Sequence, residues 1–219
     1  MPVDISNLKN ILAELKQHNA TLVAVSKKKS VEEIKQVYDA GHKIFGENYV
    51  QELKEKYESL PKDIQWHFIG HLQTNKVKVI APFVSLIQSV DSLKLLKEIN
   101  KEAEKNNRII NCLLQIHIAQ EETKFGFSFD EAEALLNSPE VKAMKNISIV
   151  GLMGMASLTE DTFQVRNEFR ALEEFLAQPR TSNFKLQTLS MGMTSDYKLA
   201  LSEGSNMVRI GSAIFGERI

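Results

Sequence analysis

The chain has 219 residues, of which 43% are hydrophobic and 25% are charged, so it can form one domain with a large core or two small domains. The formal net charge of −1 gives no electrostatic reason to expect a nucleic acid or a membrane surface as a partner. A single cysteine, Cys112, excludes an intrachain disulfide framework, and no stretch resembles a signal-peptide core or a membrane span. We therefore expect a soluble, cytoplasmic protein.

Short runs of β-forming residues alternate with amphipathic stretches along the chain, which is typical of strand–helix units. An additional helix is predicted over residues 4–19, ahead of the first strand. Eight strands are predicted: Thr21–Ser26, His42–Gly46, Gln65–Gly70, Val84–Val90, Ile109–Ile118, Ile147–Met153, Leu186–Met191 and Met207–Gly211. No linker-like segment or shift in composition divides the chain, so residues 1–219 are predicted to form one domain.

Eight strand–helix units in a chain of this length predict the α/β class and a single (β/α)8 TIM barrel with the additional helix at its N-terminus. The alternative is an open doubly wound sheet. The G-x-G-x-x-G signature that such a sheet carries after its first strand is missing, which favours the closed barrel.

Several helix starts carry capping signals in the sequence. Capping boxes are predicted at Ser30 and Ser128. An N-cap is predicted at Asp91, and Thr159 is predicted to lead into a helix over Phe163–Leu176.

Two glycine-bearing turns follow the last two predicted strands: LSMGMTSD from Leu189 and MVRIGSAIFG from Met207. Glycine lets backbone N–H groups approach a ligand closely, and paired turns of this kind are typical of a phosphate-binding site in a barrel. The predicted donors are the hydroxyls of Ser190 and Ser212 and the amides around Gly192 and Gly211. Either turn taken alone is consistent with an ordinary tight turn.

Lys27, after the first apolar run, is the candidate nucleophile. An amine attacks an aldehyde only when it is unprotonated, and an apolar barrel mouth favours the unprotonated form of a lysine. With the two turns, this predicts a phosphorylated aldehyde as the ligand; the alternative is that Lys27, Lys28 and Lys29 form a solvated basic run.

Arg209 lies two residues before Gly211, and its guanidinium needs a partner if it points into the barrel. That partner is either a pyridine nitrogen or phosphate of a ligand, or a carboxylate on a neighbouring strand.

Other polar pairs do not predict a site. His67 and His71 are four residues apart, but a glycine interrupts the segment, and no metal site is predicted. Cys112 and His117 fall on opposite faces of one predicted strand, which argues against a catalytic dyad. Two methionines of the GLMGM segment are interpreted as core residues: Met153 and Met155.

Seven motifs in order give the chain a family resemblance. They are AVSK at Ala24, FGENYVQE at Phe45, WHFIGHLQTNK at Trp66, SVDS at Ser89, GLMGMA at Gly151, LSMGMTSD at Leu189 and VRIGSAIFG at Val208. Together they resemble the pyridoxal phosphate homeostasis proteins (the YggS/PROSC family), which are relatives of the barrel domain of alanine racemases. The similarity extends over nearly the whole chain.

The resemblance implies a barrel that carries pyridoxal 5′-phosphate (PLP) as an aldimine on the lysine after the first strand, which is Lys27 here. It places a pyridine-facing arginine at Arg209 and a residue that lines the ring at Asn48. The implied phosphate contacts are Ser190, Gly192, Gly211 and Ser212. Family members are cytoplasmic and buffer or deliver the cofactor, so PLP-requiring apo-enzymes are the implied partners. We expect neither a nucleic acid nor a membrane as partner, and we expect a monomer.

The alternative function is that of a PLP-dependent amino-acid racemase or lyase of the alanine racemase type. Racemisation needs an acid or base on each face of the substrate, and alanine racemases recruit one from a second, β-rich domain of the partner subunit. Only residues 212–219 follow the last predicted strand, which leaves no room for that domain. We therefore expect a carrier without catalysis of its own.

Three positions depart from the family pattern: Lys28, Ser30 and His117. The family's lysine-threonine-lysine-proline sequence after the first strand is replaced by a run that ends at Ser30, with Lys28 in place of the threonine. His117 stands where the family often has asparagine.

Overall fold

Strands and helices alternate through the residues that the computed structural model describes, which are 3–121, 125–178 and 184–216. The strands are β1 (Thr21–Val25), β2 (Ile44–Glu47), β3 (Gln65–Phe68), β4 (Leu86–Val90), β5 (Ile110–Ile116), β6 (Ile147–Gly154), β7 (Thr188–Ser190) and β8 (Met207–Ile210). Each strand pairs in parallel with the next one, and β8 pairs with β1, which closes the sheet. The predicted (β/α)8 TIM barrel is confirmed, with all eight strands in the expected order.

Helices cover the outside of the barrel. The predicted additional helix is confirmed as α1 (Ile5–Gln17), ahead of β1. The others are α2 (Val31–Asp39), α3 (Val50–Ser59), α4 (Val77–Ile80), α5 (Leu93–Lys105), α6 (Phe129–Asn137), α7 (Pro139–Lys142), α8 (Thr162–Ala177), α9 (Tyr197–Ser202) and α10 (Ser212–Phe215), with a 3₁₀ turn at Thr74–Lys76. Within the described ranges, none of these helices combines the length and the apolar character needed to cross a membrane.

Both predicted capping boxes are present. The hydroxyls of Ser30 and Ser128 each accept a hydrogen bond of 3.2 Å from the amide three residues later, at the start of α2 and α6. The predicted helix over Phe163–Leu176 is confirmed as α8, and the residue that caps it is Asp161, through its carboxylate, rather than Thr159. The Thr159 hydroxyl instead accepts a hydrogen bond from the Asp161 amide at 3.1 Å.

The predicted N-cap at Asp91 is wrong. Ser92 caps α5, and its hydroxyl accepts a hydrogen bond from the Leu95 amide at 3.3 Å. The Asp91 carboxylate lies 2.9 Å from Nδ1 of the His71 ring on the preceding strand–helix connection. Aspartate and serine are both common N-cap residues, so Asp91 and Ser92 were both candidates from the sequence. The Asp91 carboxylate is bound to His71, and Ser92 caps the helix.

Side chains along each strand alternate between the barrel interior and the helical layer. Five residues from β1, β4, β5, β6 and β8 pack together as a small cluster separate from the main core, and only the barrel interior brings these strands together: Val23, Leu86, Leu113, Met153 and Met207. Val23 lies opposite Arg209 in the pairing of β1 with β8, so the arginine also points inward. The main hydrophobic core lies on the other side of the sheet, against the helices.

Candidate functional site

A cavity of about 350 Å³ opens at the carboxyl ends of the strands. Five of the seven predicted site residues line it: Lys27, Asn48, Arg209, Gly211 and Ser212. They come from connections after β1, β2 and β8 and from β8 itself, so the closure of the barrel brings together residues that lie far apart in sequence.

The three lysines after β1 have different surroundings. Lys27 is half-buried and lines the cavity, whereas Lys28 is exposed. The Lys29 ammonium donates a hydrogen bond to the carbonyl oxygen of Phe215 at 2.8 Å. These residues are therefore not a uniform solvated run, because each of the three has different surroundings and Lys27 is the one that lines the cavity.

Arg209 is almost fully buried, with 4% of its surface exposed. Its Nη1 donates to the carbonyl oxygen of Ser190 at 2.8 Å and to the hydroxyl of Ser190 at 2.7 Å, and its Nη2 donates to the carbonyl oxygen of Gly154 at 2.9 Å. Burial lowers the pKa of Arg209 to about 10, which still leaves the guanidinium charged near neutral pH. Neutral oxygens hold this cation in place, and its edge reaches the cavity.

Ser190 lies behind Arg209 rather than in the cavity wall. Since Arg209 can only donate, the Ser190 hydroxyl accepts from it and donates its own hydrogen to Oε1 of Gln88 at 2.7 Å. Nε2 of Gln88 then lies 3.0 Å from Nδ1 of His67. The result is a hydrogen-bonded chain across the barrel interior in which each group has a fixed role as donor or acceptor.

Gly192 shapes the site without lining the cavity. Its φ of +97° lies in the region that favours glycine, and a Cβ there would come within 2.7 Å of Cβ of Ala200 and 2.9 Å of Cα of Tyr197. Its carbonyl oxygen accepts a hydrogen bond from the Arg209 amide at 3.0 Å. Glycine therefore allows α9 to pack directly against this turn.

Sequence reasoning missed six lining residues: Val25, Ile69, Met155, Met193, Thr194 and Ser195. Thr194 and Ser195 add two hydroxyls and lie inside the LSMGMTSD motif, so the motif itself was the available signal. The interpretation of Met153 as a core residue is confirmed, and Met155 packs against the same inner cluster while also contributing to the cavity wall.

Asn48 presents a buried polar atom to this region. Its Oδ1 has no hydrogen-bond partner among the described residues. A buried carbonyl oxygen without a partner is costly, so such an atom in a cavity wall is a common sign of a ligand contact.

A buried ion pair next to the cavity was also missed. Glu47, at the end of β2, has a fully buried side chain and lies 2.8 Å from the ammonium of Lys56, whose side chain is 5% exposed. Burial raises the pKa of Glu47 to about 7, against the opposing effect of Lys56. A signal existed, because Lys56 follows Leu53 by three residues and so falls on the buried face of α3.

The remaining polar candidates lie outside this cavity. His67 is buried, His71 is exposed, and no group of three or more potential metal ligands occurs in the described part of the chain. Cys112 is buried, and burial raises the pKa of its thiol. The His117 ring lies 2.9 Å from the carbonyl oxygen of Glu121, four residues further along the same strand–helix connection.

Comparison with known protein families gives an unambiguous match. The family described as "Alanine racemase, N-terminal domain" matches residues 3–219. A pyridoxal phosphate homeostasis protein from Aquifex aeolicus is 41% identical over 201 residues, which cover 91% of this chain and 87% of the relative. Its counterpart from Haemophilus influenzae is 39% identical over 207 residues, which cover 92% and 86%.

Solved structures agree with the sequence comparison. PipY of Synechococcus elongatus is 32% identical and covers 97% of this chain and 99% of its own, with a TM-score of 0.91 without PLP and 0.87 with PLP bound. An alanine racemase from Bartonella henselae is 14% identical with a TM-score of 0.71, which shows a shared fold only, over 96% of this chain and 58% of the racemase. This chain belongs to the alanine racemase N-terminal domain family and, within it, to the pyridoxal phosphate homeostasis proteins.

Proposed function

We propose that this chain is a carrier of PLP that binds the cofactor in the 350 Å³ cavity and holds it covalently through Lys27. The observation that carries the proposal is that Lys27 and Arg209 line one cavity together with Asn48, whose buried Oδ1 lacks a partner among the described residues. A relative that is 32% identical over nearly the full length, PipY, has been solved with PLP bound. The donor set fits an anionic aromatic aldehyde.

PLP supplies an aldehyde, which condenses with an unprotonated primary amine to form a C=N bond and release one water molecule. Lys27 Nζ is the amine in this proposal. Asn48, after β2, and Arg209, on β8, orient the ring from the two strands that flank β1. The phosphate is assigned to the hydroxyls and amides of the last two turns, at Gly211, Ser212, Thr194 and Ser195. In this proposal Ser190 and Gly192 lie behind the cavity wall and hold Arg209 in place, since both bond to it.

The carrier function is favoured over the racemase or lyase alternative by the composition of the cavity wall. Within the described residues, the titratable groups that line it are Lys27 and Arg209. A guanidinium stays protonated at working pH, so the wall offers no second proton-transfer group for the opposite face of a substrate. The curated relatives are named homeostasis proteins, whereas the likeness to alanine racemases is one of fold.

Reduction with borohydride tests the covalent site. After incubation with PLP and reduction, peptide mass mapping should place the added pyridoxyl group on Lys27. Lys27→Ala should abolish the adduct, while Lys28→Ala, a neighbouring exposed lysine, should leave it unchanged. An adduct on another lysine in the wild-type protein contradicts the assignment.

Two further measurements test the carrier function. The loaded protein should leave the chirality of L- and D-alanine and the level of keto acids unchanged, and steady turnover of either contradicts the proposal. The loaded protein should also reactivate a PLP-requiring apo-enzyme faster than free cofactor at the same concentration. Equal rates would remove delivery from the proposal and leave storage.

The proposal also covers the domain organisation, the cellular location and the oligomeric state of the protein. We propose that residues 1–219 act as one domain and that the protein is a cytoplasmic monomer. The single cysteine, Cys112, is buried and unpaired, which is compatible with a reducing compartment. Sedimentation of the loaded protein at several concentrations tests the monomer, since a concentration-dependent mass contradicts it.

A further inference from the structure

The segment that carries Lys27 is a strained turn. The Lys29 amide donates to the carbonyl oxygen of Ser26 at 3.0 Å, so Lys27 and Lys28 are the two central residues. Lys28 has a φ of +61°, in the left-handed region that side chains other than glycine rarely adopt. A turn of this kind keeps its shape only if surrounding contacts hold it.

A carboxylate from α3 holds the second half of the turn. The Lys28 amide donates to both carboxylate oxygens of Glu52, at 2.8 and 3.1 Å. A hydrogen bond from a backbone amide to an ionised carboxylate is stronger than one between neutral groups. Glu52 therefore stabilises Lys28 in its unfavourable backbone conformation.

A buried cation holds the first half. The Lys56 ammonium donates to the carbonyl oxygen of Ser26 at 2.7 Å and to Oε1 of Glu47 at 2.8 Å. The Ser26 hydroxyl donates to the same oxygen of Glu47 at 2.6 Å. Lys56 also lies 3.5 Å from Oε2 of Glu52. Glu47, Glu52 and Lys56, here called the charged triad, are thus one connected group.

Burying the charged triad costs free energy, and the stability of the fold does not by itself explain it. Burying an ion pair loses the solvation of both charges, and apolar residues of similar volume often stabilise a protein at least as well. Glu47 and Lys56 are almost entirely buried, and the triad contacts the backbone on both sides of a single residue, Lys27. Ser26 faces the triad, since its hydroxyl bonds to Glu47, whereas Lys27 lines the cavity.

We infer that the charged triad consists of positioning residues that fix the backbone on both sides of Lys27 and so direct its amine to the aldehyde of the cofactor. This inference rests on the proposed function, since it concerns the covalent bond between Lys27 and PLP. The triad lies outside the cavity wall, and it acts on the ligand only through Lys27.

The test compares two ligands that differ at the reacting carbon. PLP has an aldehyde there, and pyridoxine 5′-phosphate has an alcohol, which cannot bond to an amine. Kd values for both are measured by titration calorimetry. Glu52→Ala should raise the Kd for PLP about tenfold, the effect of losing one or two hydrogen bonds to a charged group, and should change the Kd for pyridoxine 5′-phosphate by less than twofold.

Matched variants separate positioning from general damage. Glu58→Ala removes an exposed carboxylate from the same helix, whose contact is Lys54, and should leave both Kd values unchanged. Glu52→Gln keeps an oxygen that can accept from the Lys28 amide, so it should restore part of the affinity for PLP. Glu52 is suited to the test because its side chain is 24% exposed, which makes misfolding of the variant less of a concern than at the buried members.

The buried members of the charged triad are tested together. Glu47→Gln combined with Lys56→Met removes both charges and leaves neither unpaired, and it should weaken PLP binding selectively as Glu52→Ala does. Equal losses for both ligands would show a structural role and overturn the inference, as would unchanged affinity for PLP in Glu52→Ala. If the wild-type protein does not prefer PLP to pyridoxine 5′-phosphate and Lys27→Ala has no effect, the proposed function fails as well.

Discussion

The chain of hydrogen bonds behind Arg209 predicts how stability depends on pH. Nδ1 of His67 lies 3.0 Å from Nε2 of Gln88, whose orientation is set by the Ser190 hydroxyl, so this ring nitrogen must accept a hydrogen bond. A protonated imidazole has hydrogen on both nitrogens and cannot accept. Burial, helped by the positive potential of His42, lowers the pKa of His67 from 6.5 to about 4.

The sign and size of the effect follow from linkage. The pKa of His67 is lower in the folded state, so its contribution to stability is fully present above pH 6.5 and is lost as the pH falls toward 4. The whole difference corresponds to roughly 3 kcal/mol. Between pH 7.5 and pH 5 the free energy of unfolding should fall by about 2 kcal/mol on account of this residue.

Urea unfolding of wild-type protein and His67→Gln at the two pH values measures this contribution. The glutamine carbonyl can accept from Gln88 but cannot be protonated, so the variant should lose about 2 kcal/mol less than the wild-type protein between pH 7.5 and pH 5. His18→Gln, at an exposed histidine, is the control and should behave like the wild-type protein. The same pH dependence in wild-type protein and His67→Gln would refute a buried neutral His67.

Two further predictions concern the fold. Gly192→Ala and Gly41→Ala both place a side chain at φ +97°, but only at Gly192 does the new Cβ come within 3 Å of other atoms. Gly192→Ala should therefore lower the free energy of unfolding, measured by urea titration, by about 2 kcal/mol more than Gly41→Ala. Equal losses would contradict the close packing of α9. Ser92→Ala should cost about 1 kcal/mol as the loss of an N-cap, and Asp91→Ala should cost less because its partner, His71, is nearly half exposed. A larger loss for Asp91→Ala, measured by thermal unfolding, would restore Asp91 as the cap.

The number and order of the strands could be predicted from the sequence because each strand is a short apolar run followed by a clear break. The first and last residues of each strand are harder to predict than the number and order of the strands. The second strand is predicted over His42–Gly46, whereas β2 spans Ile44–Glu47. A buried carboxylate at the end of a strand needs a partner, and Lys56 supplies one for Glu47. That pairing depends on the packing of α3 against the barrel, which no local pattern contains.

The candidate site was predictable where it depends on strand ends and less so where it depends on side-chain direction. Lys27, Asn48 and Arg209 line the cavity because strand ends meet at one face of a barrel, which is compatible with their predicted role as ligand contacts. Ser190 is predicted as a phosphate donor from its place in the motif, whereas in the structure it pairs with Met207 of β8 and bonds to Arg209 in the interior. Choosing between wall and interior requires the register, which sequence alone does not supply.

At the end of β1 a single backbone separates two surroundings of different chemistry. The Ser26 side chain lies on the outer side, beside Glu47, and Lys27 lines the cavity on the inner side. From the inferred role of the charged triad, we expect substitutions on the helical side to alter the reaction with the ligand while they leave every atom of the binding surface unchanged. A mutational survey restricted to residues near the bound molecule would overlook them.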